Sequence, residues 1–397
     1  MSLPARRLLL PVMTGAASLA LVLGLAPARA ATPGWRIVTT VGPARPVNLF
    51  QSAAATSAGD AWLSGVTCSP CASGFVRHLL VVRWNGTTWH RMTVPAVVAQ
   101  GVTDTGALAA GASSASNAWV FGETAAATPE EGSPEAAQWN GSQWTATALP
   151  SWAYSIAADG GKHLVPAVFS ASDVWLFSLQ MQGSTFYAAH YDGTTWSQQA
   201  LPGDPVAVSA LGAADIWAVV ITPQTAGLPP AQQQYLAVHW DGQSWQQVPF
   251  PDLQPAPGDI LLPEAMAAVS ASQIWVEALI ETSSNQVTDL LLGWNGSSWT
   301  QVDAPLQDEG VSPAGVVQDG HGGVWLPQSG PAPKFVPYLY HYSGGQWTRH
   351  ATPQAAGTQT QINGFAWIPG TRSVWAAAQS TDVAQGTQVA AVLKYGP

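Results

Sequence analysis

Carboxylates near a pocket can do acid–base work or hold a cation, and aromatic rings can stack on a sugar or a Pro-rich peptide. Asp204 and Glu264, with Lys162, His163, Asn48 and Asn363, stand near the starts of recurrent segments of small residues. Such positions would line the mouth of a central channel, as a ligand site or as its solvated rim. A hydrolase built on Asp204 and Glu264 would need their carboxyls roughly 5–10 Å apart. Trp152 and Tyr154 share the stretch "SWAYS", outside every repeated pattern in the chain. They form either a ligand platform or a local plug.

Other chemistries fit less well. His190, His239 and His341 each precede an aromatic residue in separate repeats, too far apart to converge on one ion. A structural role follows, and neither a metal site nor a cofactor is expected. Cys68 and Cys71 in "CSPC" are the only two cysteines. In an exported chain they form a small disulfide, since a redox pair would open a helix and this pair lies between strands. The arginines are scattered, with no cluster to grip a carboxylate. No nucleophile elbow, phosphate loop or dinucleotide fingerprint occurs in its required context.

The elements that position these residues are written as a repeat. An aromatic–turn–Trp frame recurs six times: "WNGTTW" (84–89), "WNGSQW" (139–144), "YDGTTW" (191–196), "WDGQSW" (240–245), "WNGSSW" (294–299) and "YSGGQW" (342–347). A second motif ends at Trp62, Trp119, Trp175, Trp217, Trp275, Trp325 and Trp375, with spacings of 42 to 58 residues. Asn/Asp-Gly between β-rich runs marks hairpins, and a period near fifty without helical pattern marks a propeller. One unit, Pro205 to Pro249, reads as four strands, here lettered A to D: "VAVSAL", "IWAVVI", "YLAVHW" and "WQQVPF". The first is poor in bulk, as befits an innermost strand.

Six frames serve seven strand-B tryptophans. The missing halves are at the ends, with "AAVLKYG" (390–396) closing like a strand C and "GWRIVTTVGP" (34–43) opening like a strand D. The expected fold is therefore an all-β, seven-bladed β-propeller of four-stranded antiparallel blades, its last blade closed by N- and C-terminal strands. The frame tryptophans pack blade on blade. Trp152 and Trp367 are the two of twenty that fall outside the frame.

The "DG-x-x-W" turns resemble Asp-box and kelch repeats, and "DGHGGVW" (319–325) resembles the repeats of bacterial regulator propellers. The likeness spans residues 31–397 and implies a secreted bacterial propeller; it transfers no activity. Residues 1–30 read as a secretory signal: Arg6 and Arg7, an apolar run, then Ala28-Arg29-Ala30. The rest reads as a single seven-bladed domain, secreted or at the cell surface, and monomeric. A net charge of −10 with 9% charged residues argues against nucleic acid and anionic membrane as partners. The expected function is non-enzymatic recognition of a glycan, peptide or cell-wall partner through the variable-loop face. The alternatives are a glycoside hydrolase or lyase-type enzyme with carboxylates in the central pocket, and a structural surface protein.

Overall fold

The computed structural model describes residues 34–68, 77–94, 109–124, 133–150, 152–153, 164–180, 185–248, 250–251, 258–284, 286–302, 315–329 and 337–397. They form seven four-stranded antiparallel sheets. Blade 1 is built from Asn48–Ser57, Asp60–Cys68, Arg77–Trp84 and Trp89–Met92. Blade 2 follows with Ala109–Ser114, Asn117–Thr124, Ser133–Trp139 and Trp144–Ala148. Leu164–Ser170, Asp173–Ser178, Tyr187–Tyr191 and Trp196–Ala200 make blade 3. In blade 4 the strands are Asp204–Gly212, Asp215–Ile221, Tyr235–Trp240 and Trp245–Val248. Blade 5 has Ile260–Ser270, Gln273–Glu281, Val287–Trp294 and Trp299–Val302. For blade 6 they are Val317–Gln318, Val324–Ser329, Pro337–Ser343 and Gln346–Ala351.

Blade 7 takes Thr358–Trp367, Val374–Asp382 and Gln388–Tyr395 from the C-terminal end and its fourth strand, Trp35–Arg45, from the other. Trp35 pairs with Tyr395 and Arg45 with Gln388. The half-motifs at the two ends of the sequence thus join as their pattern requires. Each strand A touches the next, and strand A of blade 7 touches that of blade 1, so the ring is closed.

Aromatic packing sets the angle between blades. Each strand-B tryptophan meets the frame aromatics of the following blade. Trp62 meets Trp144 at 5.6 Å, Trp119 meets Tyr191 at 5.4 Å, and Trp175 meets Trp240 at 5.3 Å. Farther round, Trp217 meets Trp294 at 6.2 Å, Trp275 meets Tyr342 at 5.3 Å, and Trp325 meets Tyr395 at 4.5 Å. Trp375 returns to Trp89 of blade 1 at 5.0 Å. Offset and edge-on ring pairs of this kind add to the burial each indole provides.

The turn inside the frame has its own cause. The Oδ1 of Asn85, Asn140, Asp192, Asp241 and Asn295 accepts the N–H groups two and three residues on. Such Asx turns need a left-handed residue next, and Gly193 adopts φ +98°. A Cβ there would also lie 2.6 Å from Ser172 in the neighbouring A–B turn.

The histidines belong to the same scaffold. His190, His239 and His341 lie over Trp175, Trp217 and Trp325 at 4.6, 4.4 and 4.1 Å. Their Nε2 atoms meet Asp173, Asp215 and Asp319 at 2.9, 2.8 and 2.9 Å. In blade 1 Arg83 takes the place of the histidine, over Trp62 and paired with Asp60 at 2.9 Å. A cation or imidazole clamped between indole and carboxylate fixes the strand-B tryptophan in place.

Candidate functional site

Strands alternate in direction, so strands A and C begin on one face of the ring, together with the longer D–A and B–C loops. The innermost strands of blades 1, 4, 5 and 7 carry a bulge at one common level, at Gln51, Val206, Glu264 and Asn363. Bulges re-aim side chains. Asn363 uses this to donate from Nδ2 to Phe50 O of blade 1 at 2.8 Å, across the closure. Asn48 donates to Val41 O and Pro43 O at 2.9 and 3.0 Å, tying the closing strand to the first blade. These two amides serve the ring itself. Cys68 is disulfide-bonded at the buried end of a strand. Its expected partner Cys71, like Tyr154, Lys162 and His163, lies outside the described residues.

Trp152 is half-buried in the connection from blade 2 to blade 3. Its ring stands edge-on to Tyr187 at 5.9 Å, and the Tyr187 hydroxyl donates to Trp152 O at 2.7 Å. Tyr187 begins a strand C. Tyr235 and Tyr338 begin or nearly begin the same strand in blades 4 and 6, with Arg349 over the Tyr338 ring at 4.6 Å. An aromatic set thus edges the loop-rich face.

Asp204, the first residue of its strand, is buried. Glu264 is partly exposed, and burial pushes its carboxyl above the usual range. Its electrostatic neighbours are Tyr235, whose phenol is pushed up to about 12 by burial and then by the Glu264 charge, and Glu277. Glu277 is 1% exposed, and among the described residues neither carboxylate oxygen has a hydrogen-bond partner. Burial, followed by the charges of Asp289 and Glu264, holds it well above the ordinary carboxylate range. Asp289 is equally buried. Blade 5 therefore carries an acidic group that runs from a partly exposed bulge into its interior. Among the described residues, no three of His, Cys, Asp and Glu form a set arranged to hold a metal ion.

No family model and no curated protein matches the chain. Solved structures do. An ulvan lyase, described as a polysaccharide lyase, is 10% identical with a TM-score of 0.52, over 89% of this chain and 95% of that one. The fungal lectin of Aleuria aurantia, a six-bladed propeller with a fucose recognition mode, is 14% identical with a TM-score of 0.45, over 79% and 100%. SapL1 lectin in complex with α-methyl fucoside is 13% identical with a TM-score of 0.43, over 73% and 97%. At these identities the likeness to the lyase is one of fold.

The sequence singled out Glu264 as a candidate and passed over the buried acids Glu277 and Asp289. A signal was present. Two residues after the strand-B tryptophan the other blades carry Ser64, Phe121, Phe177, Val219, Pro327 and Ala377, and blade 5 alone carries an acid.

Proposed function

We propose that this chain is an exported, non-enzymatic propeller that binds a glycan through the face where strands A and C begin. One observation carries the reading: aromatic and acidic side chains outside the packing frame stay part-exposed on that face. They include Trp152, Tyr187, Tyr235 and Tyr338, with Glu264. Sugar rings present apolar C–H faces and hydroxyl edges, and such a mixture of phenol, indole and carboxylate answers both. Asp204, Glu277 and Asp289 are closed from solvent, which leaves Glu264 as the accessible acid of the set. Likeness of fold supplies no ligand; this reading rests on the residues.

The test is a glycan array probed with the full chain, followed by affinity measurements on the glycans retained. Trp152→Ala should weaken the strongest hit roughly tenfold, the loss of one stacking surface. Release of new reducing ends during incubation would replace the reading by an enzymatic one. An array without retained glycans would remove it.

A further inference from the structure

In three of the frame turns asparagine stands directly before glycine: Asn85, Asn140 and Asn295. All three are exposed, and the glycines after them adopt φ +94°, +96° and +93°. The bonds to Oδ1 from residues two and three on curl each side chain back over the backbone nitrogen of its glycine. A hydroxyl adds a third donor: Thr87 Oγ1 to Asn85 at 2.8 Å, Ser142 Oγ to Asn140 and Ser297 Oγ to Asn295 at 2.9 Å. Blades 3 and 4 build the same turn with Asp192 and Asp241, so a carboxylate serves it as well as an amide. Asn85 differs in one respect. Its Nδ2 meets His90 Nε2 at 2.9 Å, and Thr88 Oγ1 meets the same ring nitrogen at 2.7 Å. His90 follows the frame residue Trp89. In blade 4 the equivalent Gln246 reaches back in the same way, to Asp241 Oδ2 at 3.1 Å.

We propose that Asn85 is a site of self-catalysed deamidation, where the turn and His90 together convert the amide into a carboxylate. The backbone nitrogen of Gly86 attacks Asn85 Cγ and gives its proton to water. Glycine suits this role, since no Cβ shields its nitrogen. The three donors on Oδ1 stabilise the charge that grows there, as an oxyanion hole does. The Cγ–Nδ2 bond then breaks. The His90 imidazole, having taken a proton from solvent, passes it to Nδ2, and ammonia leaves. Water next opens the cyclic imide at either carbonyl, giving aspartate or isoaspartate. Asn140 and Asn295 share the turn and its donors, but Thr145 and Thr300 stand where blade 1 has His90. The product matters beyond the turn. Trp84 and Trp89, which flank it, meet Trp375 of blade 7 at 5.6 and 5.0 Å. Aspartate keeps the turn, as Asp192 and Asp241 do. Isoaspartate lengthens the main chain by a carbon and removes the side-chain acceptor, which strains the seam that closes the ring.

The experiment incubates the full chain at neutral pH and follows the three asparagines by peptide mapping and mass spectrometry. Asn85 should convert roughly tenfold faster than Asn140 or Asn295, less than a fully enclosed acid–base group contributes because water competes with the exposed imidazole. It should also outpace the same asparagine in a free peptide of residues 83–91. His90→Gln keeps the reach that Gln246 shows but cannot relay a proton. It should slow Asn85 to the pace of the other two sites and leave theirs unchanged, which makes those sites the control for folding. Material rich in isoaspartate should melt below the starting protein, and material rich in aspartate close to it. An Asn85 that outlasts the free peptide would show that the turn protects the amide, and would overturn the proposal. Equal rates at the three sites, or an unslowed Asn85 in His90→Gln, would overturn the role given to His90. Isoaspartate without effect on melting would overturn the link to the ring seam.

Discussion

Asp319 shows how much one side chain of the scaffold carries. Its Oδ2 meets His341 Nε2 at 2.9 Å, and its Oδ1 accepts the N–H groups of His321 and Gly323 at 2.6 and 2.9 Å. Burial alone would raise the carboxyl. The bonds from His341, His321 and Gly323 outweigh it and hold the group down to about 2. A depressed carboxylate binds fewer protons folded than unfolded, so its stabilisation is complete above the unfolded value near 4 and fades as pH falls toward 2. The loss should be on the order of 1–2 kcal/mol. Urea unfolding of Asp319→Asn against wild type between pH 2 and 6 checks this. The variant should be less stable at pH 6, and the gap should close at the acid end. A gap that stays constant across the range would assign the cost to geometry and not to charge.

Among the elements, the strand Trp35–Arg45 matters beyond its size. It completes blade 7, and Trp35 stands against Trp325 of blade 6 at 5.3 Å and Tyr395 at 5.7 Å. Deleting residues 34–45 would bare the edge of Gln388–Tyr395 and take an aromatic out of the blade 6–7 seam. The melting temperature should fall by about 10 °C or more, as several kcal/mol of packing go; an unchanged value would refute the closure. This strand was legible in the sequence because each half-motif announces its missing partner. Frame tryptophans and Asx turns were legible for the same reason, since repetition separates scaffold from exception. The roles of Asn48 and Asn363 were not, because their acceptors are backbone carbonyls chosen by loop path and bulge.

For the whole molecule, the consequence of closure is cooperativity. An open array of repeats touches only neighbours and can lose its ends first. Here the first and last strands share one sheet and strand A of blade 7 rests on that of blade 1, so there is no end to fray. Trp119 in blade 2 and Trp325 in blade 6 are both 0% exposed, and they stand in different, non-adjacent blades. Truncating either to alanine should cost about 3–5 kcal/mol. In an independent array, each substitution would melt its own blades and split the transition. In the closed ring each should instead move one common transition to lower denaturant, seen alike by tryptophan fluorescence and by far-ultraviolet circular dichroism. The double variant should shift it by nearly the sum, since the two sites share no partner. Two resolved transitions in either single variant would mean that the blades hold their stability locally, and that the terminal clasp joins the ring without coupling it.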